Sequence, residues 1–183
     1  MFFLLKRSDT PPITYECKGG SCVTNVAILV NGIKPIGCRG KIVKNQAHSI
    51  KIIMQNSSDD TDVSNQVCFE FFNQDDFRDY NKPQAVACLM KAVCIFTKLV
   101  ELNSEYNLSE QLKQKLNGSL ELYTWTGLPQ GSGLGTSSIL AACVLKVIWY
   151  LMGIDVSHEA LSYGVLVVEQ LMTTNGGWQG FNN

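Results

Sequence analysis

The sequence predicts an α+β domain in which a mixed β-sheet is covered by helices on one side. Three observations lead there. The first third alternates β-rich segments with turn signals, the pattern shifts to a helical period at Pro83, and the last third holds two long apolar helices behind a strand. At 183 residues and 45% hydrophobic content, a single domain spanning 1–183 can bury a substantial core.

Ile13 to Glu16, Ser21 to Val30 and Ile33 to Ile42 read as the strands of a meander, with Asn31-Gly32 as a two-residue hairpin turn. His48 to Met54 adds a further strand. The polar stretch Gln55 to Gln66 reads as a solvated loop that feeds a short strand at Val67 to Phe69. From Pro83, which suits a first helical turn, Ala85, Leu89, Ala92, Phe96, Leu99 and Val100 recur at helical spacing as far as Asn103. Lys91 and Lys98 are expected on the wet side of that helix. A short helix near Ser109 to Leu116 is closed by Asn117-Gly118, and Leu120 to Thr126 reads as a strand with its aromatic residues on one face. Ser137 to Met152 is a strongly apolar helix, stopped by Gly153 where a left-handed residue is wanted. Ser157 caps a second helix to about Met172, with Glu159 in the first turn where the macrodipole favours an acid.

Composition excludes several functions. Fifteen basic and sixteen acidic residues leave a net charge of -1, so no chain-wide field holds nucleic acid or an anionic membrane. Met1 to Leu5 is apolar, but Lys6-Arg7 ends it short of a signal-peptide core, and no run approaches the ~20 residues of a membrane span. The expected location is the cytoplasm. The seven cysteines are odd in number, scattered and without a C-x-x-C pair, so reduced buried thiols are expected rather than a disulfide framework or a zinc site.

Between the strand ending at Thr126 and the long helix lies L-P-Q-G-S-G-L-G-T-S-S, from Leu128 to Ser138. Gly131, Gly133 and Gly135 carry no Cβ, which lets backbone N–H groups approach an anion while the helix behind them offers its unpaired N-terminal donors. Thr136, Ser137 and Ser138 add hydroxyl donors and one magnesium ligand of the oxygen type that ion prefers. The segment lacks the lysine of a Walker A loop and has Thr136 where a dinucleotide fingerprint needs glycine. A plain strand-to-helix connection is the alternative explanation of the glycines; the hydroxyls at the helix start argue for a phosphate cradle.

On the last helix, Leu161, Val165, Val168 and Met172 form the inward stripe, and Glu169 shares it. An ionised carboxylate there needs a partner. The helix from Ser137 climbs ~22 Å, and from Ser157 to Glu169 its successor returns ~18 Å, so an antiparallel pair brings Ser137 and Glu169 to nearly one level. With axes ~8–10 Å apart the two can converge on one cation, directly or through water. An ion pair with Lys or Arg is the alternative for Glu169. The loop Thr173 to Gln179 falls at the same end of the helix pair.

The loop L-P-Q-G-S-G-L-G-T-S-S resembles the central motif of the GHMP kinases, the superfamily of galactokinase, homoserine kinase, mevalonate kinase and phosphomevalonate kinase. S-D-T-P-P-I-T-Y-E at Ser8 to Glu16, K-P-I-G at Lys34 to Gly37 and G-G-W-Q at Gly176 to Gln179 narrow the resemblance to the L-fucose kinases. It implies a two-layer, ribosomal-protein-like βαβ domain in which Pro129, Gly131, Ser132, Gly133, Leu134, Gly135, Thr136, Ser137 and Ser138 bind the phosphates of ATP. Ser137 and Glu169 would hold Mg2+, and Asp9 would accept hydrogen bonds from the sugar. The implied reaction is ATP-dependent phosphorylation of the anomeric hydroxyl of L-fucose, feeding GDP-fucose salvage.

The sequence departs from that family in two places: Leu4-Leu5-Lys6-Arg7 stands where a Gly-Gly-Trp run precedes S-D-T-P-P, and Gly180 stands where relatives carry a catalytic aspartate. The chain is therefore expected to be an inactive kinase fragment lacking its C-terminal domain. The rival expectations are a non-catalytic nucleotide-binding or interaction module and a kinase for another sugar.

Overall fold

Alternating β-branched and apolar side chains shape the first half into strands. A computed structural model describes residues 13–27, 29–30, 32–44, 48–55, 66–82, 84–127 and 135–172. Here β1 (Ile13–Lys18), β2 (Ser21–Val26), β3 (Ile36–Val43), β4 (Ile50–Gln55), β5 (Val67–Phe71) and β6 (Ser119–Thr126) form one sheet in the order β1-β2-β3-β6-β4-β5. β4 runs parallel to β6 and every other neighbouring pair is antiparallel, which is the expected mixed sheet. Between β2 and β3, Val30 and Ile33 exchange backbone bonds of 2.9 and 3.0 Å and Gly32 takes a left-handed conformation (φ 78), while Asn31 of the expected turn lies outside the described residues.

Among the described residues the α-helices are α1 (Cys88–Phe96) and α2 (Leu108–Leu116), between β5 and β6, and α3 (Thr136–Leu151) and α4 (His158–Leu171), after β6. The strand alternation places Cys38, Gly40, Leu120, Leu122, Ile50 and Ile52 on one face. A Cβ at Gly40 would meet Val147 of α3 at 2.3 Å, so this is the face that α3 covers. Each fully buried aliphatic side chain of this core contributes about 1.5–3 kcal/mol. The other face is polar: Lys41 pairs with Glu121 at 2.9 Å, Tyr123 donates its hydroxyl to Glu121, and Arg39 is exposed. Tyr123 and Trp125 share that face, as the strand pattern anticipates. Among the described residues no helix is long and apolar enough to cross a membrane.

Three expectations are corrected. The helix expected from Pro83 to Asn103 is shorter, because Ala87 takes a left-handed conformation (φ 54) ahead of Cys88 and Lys98 takes another (φ 57) behind Phe96. Val100 N–H bonds to Cys94 O at 3.0 Å and closes the turn, so Leu99 and Val100 are buried from beyond the helix and merely prolong its apolar spacing. Lys91 is not on the wet side: its side chain is 4% exposed, 2.7 Å from the Asp79 carboxylate and over the Phe71 ring. Finally, Cys17 and Cys22 are joined by a disulfide, because the turn at Gly19-Gly20 sets them directly opposite on β1 and β2. Cys38, Cys94 and Cys143 are buried thiols, as expected, and burial pushes Cys94 and Cys143 up to about 12.

Candidate functional site

β6 delivers the chain to the glycine-rich segment, and its last turn outward is braced. Trp125 is buried, with its indole N–H 3.3 Å from Lys34 O, and the N–H of Gly127 donates to Pro35 O at 2.7 Å. The indole lies so close to β3 that a Cβ at Gly37 would meet it at 2.3 Å. Lys34 to Gly37, which the sequence marks only as a family-like segment, thus grips the strand end from which the loop departs. Sequence reasoning assigned Trp125 no part in this; the buried aromatic ending a strand just before the glycines was the available signal.

Pro129, Gly131, Ser132, Gly133 and Leu134 lie outside the described residues, as do Asp9, Gly180 and the loop from Thr173 to Gln179. The chain is described again at Gly135, which takes a left-handed conformation (φ 62) as the N-cap of α3. The first helical bond runs from Ile139 N–H to Gly135 O at 3.1 Å, so the amides of Thr136, Ser137 and Ser138 precede the ladder. Ser137 is exposed, while Thr136 and Ser138 are half-buried.

At its far end α3 stops at Gly153 (φ 74), where Ile154 N–H returns to Trp149 O at 2.8 Å. Ser157 caps α4, its hydroxyl accepting from Ala160 N–H at 3.2 Å, and also holds Glu159 below its ordinary pKa. α4 returns with Leu161, Val165 and Val168 buried, and carries Glu169 back to the start of α3. There Ser138 donates its hydroxyl to Glu169 Oε1. Burial raises the Glu169 pKa, and the bond from Ser138 opposes that rise.

The helix pair therefore brings the first turn of α3 and Glu169 to one level, as the rise arithmetic expects. The hydroxyl in contact is Ser138 rather than Ser137, whose side chain is on the exposed side of the same turn. Among the described residues, no group of three or more His, Cys, Asp or Glu is gathered to hold a metal ion. What the arrangement offers is hard oxygen: three hydroxyls and one half-buried carboxylate beside a helix start, a donor set suited to magnesium with phosphate oxygens completing its shell.

Known proteins share both sequence and fold. Over 173 residues, 94% of the chain, it is 36% identical to the bifunctional fucokinase/GDP-fucose pyrophosphorylase of Arabidopsis thaliana. Over 172 residues it is 31% identical to the L-fucokinase/L-fucose-1-P guanylyltransferase of Bacteroides fragilis. The chain spans 14% and 17% of the length of these two relatives. The mevalonate kinase of Methanococcus jannaschii shares the fold at a TM-score of 0.51 and 13% identity, over 85% of this chain and 41% of that one. Residues 97–180 match the family described as "GHMP kinases N terminal domain". That match runs through β6, α3 and α4, the elements that build the turn and return Glu169 to it, so it is residues 97–180 of the chain that carry the N-terminal-domain pattern of the GHMP kinases.

Proposed function

We propose that this chain is the nucleotide-binding domain of an ATP-dependent sugar kinase acting on the anomeric hydroxyl of L-fucose. The observation that carries the reading is the meeting of Glu169 with the hydroxyl-bearing first turn of α3, which places an acid beside the helix start that follows the glycines. Two relatives named as fucokinases, matched over 94% of the chain, support the choice of sugar. Asp9, in the S-D-T-P-P segment that resembles theirs, is the proposed acceptor for sugar hydroxyls.

Ser137 and Glu169 would hold magnesium, and the amides of Gly131 to Ser138 would face the nucleotide phosphates. Bound magnesium neutralises charge on the phosphates during transfer. The protein's own part is to present oxygen ligands from two packed helices. Gly180 stands where the resemblance calls for an aspartate, and glycine has no group to take or stabilise the proton of a sugar hydroxyl. The 183-residue chain by itself is thus proposed to bind magnesium nucleotide weakly and to turn over L-fucose negligibly, since such a group contributes about 10²–10⁴-fold. Gly180 also favours the second reading, a nucleotide-binding module without catalysis.

Calorimetric titration of the chain with ATP and magnesium separates these readings, with Ser137→Ala and Glu169→Ala as controls. Magnesium-dependent binding that weakens about tenfold in both variants is expected. Binding untouched by either substitution sinks the assignment of the site, and measurable turnover of L-fucose sinks the proposed inactivity.

A further inference from the structure

We infer that Ser138 is a positioning residue, whose hydroxyl holds the Glu169 carboxylate toward the first turn of α3 instead of donating to a nucleotide phosphate. The inference deepens the kinase reading and rests on it. A serine hydroxyl has one proton, and here that proton goes to Glu169 Oε1. Its remaining lone pairs would repel a phosphate oxygen, so of the groups Ser138 could offer a phosphate only its amide, ahead of the helical ladder, remains a donor.

Successive helical residues point about 100° apart, which divides the three hydroxyls by direction. Ser138 faces α4 and is half-buried, whereas Ser137 is exposed. Glu169 lies near the end of α4, two residues before Leu171, the last of that helix. A glutamate in such a place has three rotatable bonds and loses up to about 2 kcal/mol of rotamer freedom when it is fixed. A hydroxyl from the rigid start of the neighbouring core helix fixes it before any cation arrives, so less ordering remains at binding.

Two measurements on the full 183-residue chain test this. The first is urea unfolding of the wild type, Ser138→Ala, Glu169→Ala and the double variant. A coupling of about tenfold in the unfolding equilibrium constant is expected for a hydrogen bond to a carboxylate, and additive single effects overturn the inference. The second is ADP affinity with and without magnesium. The ratio of the two is expected to fall about five- to tenfold in Ser138→Ala and to be retained in Ser138→Thr, which keeps the hydroxyl. Equal weakening of both affinities in Ser138→Ala identifies a direct phosphate donor and overturns the inference. A wild type whose ADP affinity ignores magnesium refutes the kinase reading itself, and the role given to Ser138 falls with it. Absent coupling beside intact magnesium dependence removes the Ser138 assignment alone.

Discussion

Glu121 sits on the polar face of the sheet, 2.9 Å from the ammonium of Lys41 and bonded by the hydroxyl of Tyr123. Partial burial would raise its pKa, but the hydrogen bonds from Lys41 and Tyr123 outweigh that and hold it below the ordinary 4.5. A carboxylate with a depressed pKa binds fewer protons in the folded state. Its stabilising contribution is therefore present above 4.5 and is lost as the pH falls through the lower, folded value. Glu121→Gln should lower stability near neutral pH by about 0.5 kcal/mol, a modest figure because the pair is partly solvated. Urea unfolding across a pH series should show that deficit shrinking toward about pH 3, and a deficit that stays constant or grows would contradict the assignment. Charge alone is a poor guide to such placements, as Lys91 shows. Its sequence neighbourhood reads as the wet side of a helix, yet Asp79 and Phe71, which take its charge into the core, lie on other elements that a helical period cannot reveal.

At the scale of elements, periods and caps locate the helices well, because both are local. Asn107 and Glu110 close a capping box on α2, Ser157 caps α4 and Gly153 ends α3, each a signal carried within a few residues of sequence. The antiparallel pairing of α3 with α4 is legible for the same reason, since a short link and similar rises leave little choice. Which hydroxyl meets Glu169 is not legible. A step of one residue turns the side chain by about 100°, and the rotation of α3 about its axis is set by the packing of Leu140, Val144 and Val147 against the sheet and neighbouring helices. Gly164 controls the closeness of α4. A Cβ there would meet Trp149 at 2.9 Å, Phe96 at 3.0 Å and Leu145 at 3.3 Å. Alanine favours a helix interior by about 1 kcal/mol over glycine, but overpacking costs about 1–3 kcal/mol. Gly164→Ala should therefore give a net loss of about 1 kcal/mol in urea unfolding. A gain would mean that α4 can move outward without penalty, and so would loosen the argument that Glu169 is held in place.

The whole molecule depends on pairings that no local pattern contains. β6 inserts between β3 and β4, so Ile36 pairs with Thr126 and Ile50 with Leu120, partners far apart in sequence. The strands themselves were legible from alternation, and the mixed sheet with one covered face was expected. Their order was not, because strand periodicity says which face is buried without saying which neighbour is bonded. The order has a measurable consequence. β6 is hydrogen-bonded on both sides and carries the buried Leu120, Leu122 and Trp125, whereas β5 is an edge strand whose Val67 and Cys68 are exposed. Edge strands open locally, while a central strand loses its bonds only when the sheet comes apart. Hydrogen exchange followed by mass spectrometry should thus find β6, β3 and β4 the slowest strands, with β1 and β5 exchanging sooner. Exchange in β6 as fast as in β5 would break the sheet order and the site with it. Thr136 to Ser138 stand at the start of α3, and their position relative to Glu169 depends on the seating of that helix on the sheet, where Val147 lies against Gly40 of β3, the strand paired with β6.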